Sequence, residues 1–170
     1  MKVLQVLVII ALFTVNMAAQ DVWAGKEVGD YTINYPSKWE LADGSSFGVK
    51  FLLFAPLIQS KSDFKSNINI VIQDLSAYDL DLAAFTELSV KQVNTLITDV
   101  EIEKNETKQG KTTAVAQLVY VGEQGTLKLK WHQYFWLKDK SAYVFTFTSE
   151  IDSYDTHIDE VKQIFDTLGL

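Results

Sequence analysis

The residues best equipped for chemistry lie in one alternating stretch, residues 126–138. Every second side chain there is a cation, an imidazole or an aromatic ring with a polar tip: Lys128, Lys130, His132, Tyr134, Trp136 and Lys138. Most of the intervening positions are apolar: Leu127, Leu129, Trp131, Phe135 and Leu137. A period of two predicts a β-strand that presents these two sets on opposite faces.

The polar face of this strand has two possible roles. On an open sheet, Lys130, His132, Tyr134 and Trp136 would form a row of groups about 7 Å apart that could bind a partner protein, a sugar or an anionic ligand. Under a helix, the same side chains would be core residues with polar tips. A sheet with two helices usually buries both faces, which favours the covered arrangement. We retain these four as possible partner-binding residues.

Catalysis has little support in the residue types. The chain has two histidines and no cysteine. It also lacks a glycine-flanked serine elbow, a phosphate-binding loop and paired histidines at metal-binding spacing. We therefore expect a protein that is not an enzyme, with no catalytic, cofactor-binding or metal-binding residues. The alternative is a hydrolase in which His132 or His157 works with a distant serine.

A second cluster of potential ligands lies near the end of the chain and comprises Asp152, Asp155, His157, Asp159 and Glu160. On a helix, Asp155 and Asp159 share a face, but His157 lies about 200° round from Asp155. Acidic residues also stabilise the positive N-terminal end of a helix, which explains the cluster without a metal ion.

The elements that position these side chains form an α+β pattern. Residues 142–148 are β-branched and aromatic and should pair back on the first strand as a hairpin. Further strands are predicted at residues 31–35, 49–55, 67–74, 100–108 and 112–121, with 49–55 as a central strand and 21–30 as a loop. One helix follows the N-cap Asp81, with an apolar stripe that comprises Leu82, Phe85, Leu88, Val93, Leu96 and Ile97. A second helix begins near Ser153. The pattern predicts an antiparallel sheet of about six to seven strands flanked by two long helices.

The first nineteen residues have the pattern of a secretory signal peptide. Lys2 precedes an apolar run over residues 3–15, and Ala18 and Ala19 suit signal peptidase. The run is shorter than the about 20 apolar residues of a membrane-spanning helix, and no cysteine is present to carry a lipid anchor. We predict a soluble exported protein, periplasmic or extracellular, with residues 20–170 as a single domain without a transmembrane segment. The net charge of the full chain, −7, disfavours nucleic acid and anionic lipid as partners.

Several core segments resemble those of PsbP-like domains. Tyr31-Thr-Ile-Asn-Tyr-Pro-Ser-Lys-Trp39 is similar to the family's opening strand-proline-tryptophan signature, and residues 67–72 to its following strand. The aromatic segment 142–148, Tyr154 and residues 164–168 follow in the family's order. The resemblance implies an α/β/α sandwich and a non-enzymatic role, since the family and its structural relatives include extrinsic photosystem subunits, bacterial envelope lipoproteins and a nuclear-transport binding factor. It implies no particular site residue, and this chain lacks the lipid-anchoring cysteine of many bacterial members.

Two functional hypotheses follow besides the hydrolase. The first is an exported PsbP-like protein that acts by binding, as an accessory to a protein of the cell envelope. The second is a carrier of a small apolar ligand, indicated by ten Phe, seven Tyr and four Trp. A carrier requires an apolar cavity of at least about 300 Å³.

Overall fold

The structure is a computed structural model that describes residues 22–58 and 63–170. The predicted signal peptide, residues 1–19, lies outside the described residues. The elements are, in chain order, β1 (Trp23–Val28), β2 (Tyr31–Pro36), β3 (Glu40–Ala42), a short 3-10 helix (Ser45–Phe47), β4 (Phe51–Phe54), β5 (Asn67–Asp74), α1 (Leu82–Leu96), β6 (Thr98–Gln109), β7 (Ala114–Gln124), β8 (Leu127–Lys138), β9 (Ser141–Glu150) and α2 (Ile151–Asp166).

Seven of the strands form one antiparallel sheet in the order β3-β4-β5-β9-β8-β7-β6. The predicted hairpin of β8 and β9 is confirmed and lies near the middle of this sheet. Its two-residue turn places Asp139 and Lys140 at φ of 48° and 59°, which matches the right-handed twist of the flanking strands. Residues 49–55 were predicted as a central strand, whereas β4 is second from the edge, because only the three-residue β3 pairs with its outer side.

The segment predicted as a loop, residues 21–30, contains a strand instead. β1 pairs with β2 in a separate two-stranded antiparallel sheet, from Trp23 opposite Pro36 to Val28 opposite Tyr31. Most β1 side chains are exposed, so the strand lacks the apolar alternation by which a half-buried strand is recognised. Backbone pairing with β2 defines it.

One face of the large sheet is covered by α2 together with the β1–β2 hairpin. The core on this side includes Ile33 and Tyr35 from the hairpin, Val161 and Ile164 from α2, and Phe145 from β9. Tyr134 and Trp136 of β8 also belong to this cluster, whereas Trp131 and Phe135 belong to the cluster on the opposite face. The predicted two-faced alternation of β8 is therefore confirmed.

The opposite face is covered less completely. It packs against α1, a helix of 15 residues that lies over β6, β7 and β8. Seven strands span roughly 30 Å across a sheet, whereas one helix is only about 10 Å wide. The α+β class and the antiparallel sheet with two helices are confirmed, but the expectation of two long helices that flank and seal the sheet is not, since α1 is too short and narrow to cover its face.

The two helix starts contrast in how well the sequence predicted them. Asp81 caps α1 as predicted, and its carboxylate accepts a hydrogen bond of 2.8 Å from the amide of Ala84. α2 starts at Ile151, directly after β9, so Ser153 lies inside its first turn and is buried.

Among the described residues, no helix has the length and apolar character needed to cross a membrane.

Candidate functional site

The side chains predicted as a partner-binding row lie beneath α2. His132 is 3% exposed, Trp136 is fully buried and Tyr134 is buried. Lys130, at the end of the row, keeps part of its side chain accessible. The covered arrangement is therefore the one that forms, because α2 and the β1–β2 hairpin pack on this face. A partner-binding role for the four residues stays a prediction, and their burial restricts direct contact chiefly to Lys130.

Both ring nitrogens of His132 are hydrogen bonded. Nδ1 lies 2.7 Å from the hydroxyl oxygen of Tyr154 on α2. Nε2 is bonded to the side-chain amide of Gln117 on the neighbouring strand β7. A neutral imidazole donates through one nitrogen and accepts through the other, so these two partners satisfy the ring completely. His132 thus joins the sheet to α2 through a buried polar contact.

Burial lowers the pKa of His132 to about 3, and the positive charges of Lys162, Lys104 and Lys130 act in the same direction. The ring is therefore neutral at physiological pH. With both nitrogens occupied and the side chain enclosed, it is poorly arranged to exchange a proton with a substrate. Burial also raises the pKa of Tyr154, which keeps its hydroxyl protonated as a hydrogen-bonding group.

Lys130 lies beside this network. Its ammonium nitrogen is 2.6 Å from a carboxylate oxygen of Glu103 on β6 and 4.3 Å from the centroid of the Tyr154 ring. The ion pair and the cation–π contact hold the lysine against α2. These contacts assign Lys130 a structural role in addition to any contact with a partner.

The rest of the row is aromatic packing. Tyr134 stacks on Phe165 of α2 with ring centroids 3.8 Å apart. Trp136 stacks on Tyr143 at 5.1 Å and meets Tyr31 edge-on at 5.6 Å. Its indole N–H is buried and has no hydrogen-bond partner in the described part of the chain.

The acidic cluster of α2 is distributed among different partners. Glu160 accepts a 2.6 Å hydrogen bond from the indole N–H of Trp39 and pairs with Lys38 at 2.6 Å. Asp159 pairs with Lys162, and His157 lies against the ring of Trp39. Within residues 22–58 and 63–170, no group of three or more His, Asp or Glu side chains is arranged to hold a metal ion.

A groove runs along α1 on the less covered face of the sheet, and we call it the α1 groove. It has a volume of about 530 Å³. Helix residues form one wall, and the loop that precedes the helix contributes Tyr78. Its lining residues are Gln73, Leu75, Tyr78, Leu80, Phe85, Leu88, Ser89, Gln92, Val93, Leu96, Ile97, Tyr120, Gln133, Phe135 and Val144. None of these carries a charge, although the chain has a net charge of −7.

Three large apolar side chains of this groove are exposed to solvent: Tyr78, Leu88 and Leu96, the last of them 77% exposed. The sequence predicted that the stripe containing Leu88 and Leu96 would pack on the sheet. Phe85 and Val93 do so, whereas Leu88 and Leu96 do not. The groove could not be predicted from periodicity alone, because an apolar stripe does not show how wide a surface the helix must cover.

Comparison with known proteins identifies structures of similar fold. The sequence matches no protein-family model, and a search of curated proteins gives no match. Similar folds do occur among solved structures. Cyanobacterial PsbP from Synechocystis sp. PCC 6803 aligns with a TM-score of 0.63 and 15% identity, over 92% of this chain and 96% of that protein.

Two further structures agree. PA94 from Pseudomonas aeruginosa, a protein of unknown function, aligns with a TM-score of 0.60 and 16% identity, over 86% of this chain and 95% of that one. LpqN, involved in cell envelope biogenesis of Mycobacterium tuberculosis, aligns with a TM-score of 0.59 and 11% identity, over 87% and 83% respectively. At this level of identity the likeness concerns the fold alone. The resemblance inferred from residues 31–39 and the aromatic hairpin is thereby confirmed, and this chain has a PsbP-like fold.

Proposed function

We propose that this chain is an exported, non-enzymatic accessory protein of the cell envelope that binds a partner protein through the α1 groove. The observation that carries the proposal is the exposure of Tyr78, Leu88 and Leu96 around an uncharged groove. Contiguous exposed apolar side chains on a soluble domain mark interaction sites. The groove should receive an uncharged apolar segment of the partner.

The remaining support concerns location and chemistry. The signal-peptide pattern of residues 1–19 favours export, and a fold shared with an envelope-biogenesis protein agrees with an envelope role. A non-enzymatic role is favoured by His132, since its ring nitrogens are both bonded and its pKa is about 3. These features make the hydrolase hypothesis the weakest of the three.

A second candidate function uses the same groove for a small apolar ligand. The volume of about 530 Å³ lies within the range of pockets that hold small molecules. The polar groups that line it, including Gln133 and Ser89, could orient a single polar end of such a ligand. The exposed rim favours a protein partner instead, because a carrier usually encloses about 70–90% of its ligand's surface.

Two equally exposed leucines allow a matched test. Leu96 borders the groove and is 77% exposed, whereas Leu57 lies in the loop after β4 and is 76% exposed. The photo-crosslinking amino acid p-benzoylphenylalanine would be placed at position 96 or at position 57 of the protein in its native envelope. We expect one defined protein adduct from position 96 and none from position 57. The adduct partner is then purified, and its affinity is measured for the unmodified chain, Leu96→Asp and Leu57→Asp.

Leu96→Asp should lose affinity roughly tenfold or more, because desolvation of a carboxylate in an apolar interface is energetically unfavourable. Leu57→Asp should bind like the unmodified chain. Equal affinities for the two variants would overturn the proposed binding surface. The ligand-carrier alternative is tested with the uncharged fluorescent probe N-phenyl-1-naphthylamine. Saturable binding at one site that Leu96→Asp weakens and Leu57→Asp does not would support the carrier instead.

A further inference from the structure

A second cavity lies on the opposite face of the sheet, beside the C-terminal end of α2, and we call it the α2-end cavity. Its volume is about 380 Å³. The β6–β7 connection forms one side and α2 the other. The lining residues that matter for binding are Lys111, Val115, Gln117, Tyr134, Phe165 and Asp166.

The inner wall of the cavity is aromatic with one available donor. The Tyr134 ring stacks on Phe165 at 3.8 Å, and both residues line the cavity. Tyr134 is 9% exposed, yet its hydroxyl forms no hydrogen bond with any residue in the described ranges 22–58 and 63–170. Burial and the nearby charge of Asp166 raise the pKa of Tyr134 to about 12. The hydroxyl is therefore a neutral group that can donate to a ligand.

The rim of the cavity carries both signs of charge. Lys111 and Asp166 are exposed, and neither forms an ion pair within the part of the chain that the structure describes. Two further groups line the cavity: Lys108, which is already paired with Glu106 at 2.7 Å, and the carboxyl group of Leu170, which lies against Gly110. A simple anion would be repelled by Asp166, and a simple cation by Lys111. A molecule that carries both charges would avoid either repulsion by pairing its anionic group with Lys111 and its cationic group with Asp166.

We propose that the α2-end cavity binds a small zwitterion of the amino-acid type with an apolar or aromatic side group. Its carboxylate lies near Lys111 and the Tyr134 hydroxyl, and its ammonium group near Asp166. The apolar side group packs against Phe165 and Val115. This site is independent of the α1 groove, because the two lie on opposite faces of the sheet.

The cavity is also connected to the buried histidine. Gln117 lines the cavity, and its side-chain amide is bonded to Nε2 of His132. A ligand that contacts Gln117 should change the environment of the imidazole. The side-chain nitrogen resonances of His132 therefore report whether a ligand occupies this cavity or another site.

Three related probes separate the charges of the ligand. The purified protein is titrated by NMR with L-phenylalanine, with 3-phenylpropanoate, which lacks the ammonium group, and with phenethylamine, which lacks the carboxylate. We expect saturable shifts at Lys111, Gln117, Asp166 and the His132 ring. L-phenylalanine should bind roughly tenfold tighter than either analogue, as removal of one charge-assisted hydrogen bond predicts.

Variants test the assigned contacts. Tyr134→Phe keeps the stacked ring and removes only the hydroxyl. Lys111→Ala shortens an exposed side chain, so the substitution leaves the core intact. Each should weaken L-phenylalanine binding roughly tenfold. Lys128→Ala, with a lysine side chain 74% exposed at the start of β8, should bind normally. The proposal is overturned if no probe gives saturable shifts, if 3-phenylpropanoate binds as tightly as L-phenylalanine, or if both variants retain full affinity.

Discussion

The hydroxyl oxygen of Tyr154 lies 2.7 Å from Nδ1 of His132, inside the interface between α2 and the sheet. The residues are 22 positions apart and come from different elements. The opposite ring nitrogen is bonded to Gln117, and burial lowers the pKa of the imidazole so that it stays neutral at physiological pH. Burial of this neutral ring should make the stability of the fold depend on pH.

His132 should make the fold less stable in acid. Its pKa is about 3 in the folded protein, against an ordinary value of 6.5, so below pH 6.5 the unfolded chain takes up a proton that the folded chain does not. The contribution is fully present above pH 6.5 and is lost as pH falls towards 3. At about pH 5 the loss of unfolding free energy should amount to about 2 kcal/mol.

Urea unfolding at neutral pH and at about pH 5 measures this loss. The His132→Gln variant should lose less of its unfolding free energy over this interval, by about 2 kcal/mol. Burial also lowers the pKa of His157, so a His157→Gln variant is the companion measurement. An unchanged pH dependence in His132→Gln would contradict the assignment.

Two buried tryptophans should respond differently to the same substitution. Trp39 donates its indole N–H to Glu160 at 2.6 Å, whereas the indole N–H of Trp136 has no partner among the described residues. Trp39→Phe removes a hydrogen bond to a charged group, worth about 1.5–3 kcal/mol. Trp136→Phe removes a donor that gains nothing from burial.

We therefore expect Trp39→Phe to lower the unfolding free energy by at least about 1 kcal/mol more than Trp136→Phe. Chemical denaturation of the two variants gives the comparison, and both lose the same side-chain volume. In a Glu160→Gln background the difference should shrink. If Trp136→Phe proves the more destabilising of the two, the hydrogen bond between Trp39 and Glu160 stabilises the fold less than the packing of the Trp136 ring does.

The ion pair between Lys130 and Glu103 should contribute modestly to the free energy of unfolding. The two groups are 2.6 Å apart, and their side chains are 17% and 38% exposed. A double-mutant cycle of Lys130→Met and Glu103→Gln should give a coupling free energy of about 0.5–1 kcal/mol. Added salt should reduce that coupling. A coupling of zero at low salt would show that the pair contributes nothing beyond its packing.

Gly122 should be required for the packing of the α1 end against β7. A Cβ atom at this position would clash with Cγ2 of Ile97 and lie 3.0 Å from the carbonyl oxygen of Thr98. Gly122→Ala should therefore cost about 1–3 kcal/mol through overpacking. The loss of unfolding free energy should be partly reversed by adding Ile97→Ala, because this substitution removes the clashing methyl group. No recovery in the double variant would place the strain elsewhere.

The local features of this protein were readable in its sequence. The period of two in residues 126–138 assigned Trp131 and Tyr134 to opposite faces of β8, because successive strand residues must alternate. Asp81 could be identified as a cap, since its partner Ala84 is three residues away. By contrast, β1 was missed, because a mostly exposed strand has no apolar alternation and becomes a strand only through β2.

The candidate sites were decided by tertiary structure. The exposure of Leu96 depends on how far α1 reaches across seven strands, and the bond between Trp39 and Glu160 joins residues 121 positions apart. Nor does the row of His132, Tyr134 and Trp136 reveal in its own spacing that α2 covers it. Periodicity acts over a few residues and determines which side chains share a face. What lies against that face is set by the packing of distant segments. This packing buries the row of His132, Tyr134 and Trp136, leaves the α1 groove open and forms the cavity beside Tyr134.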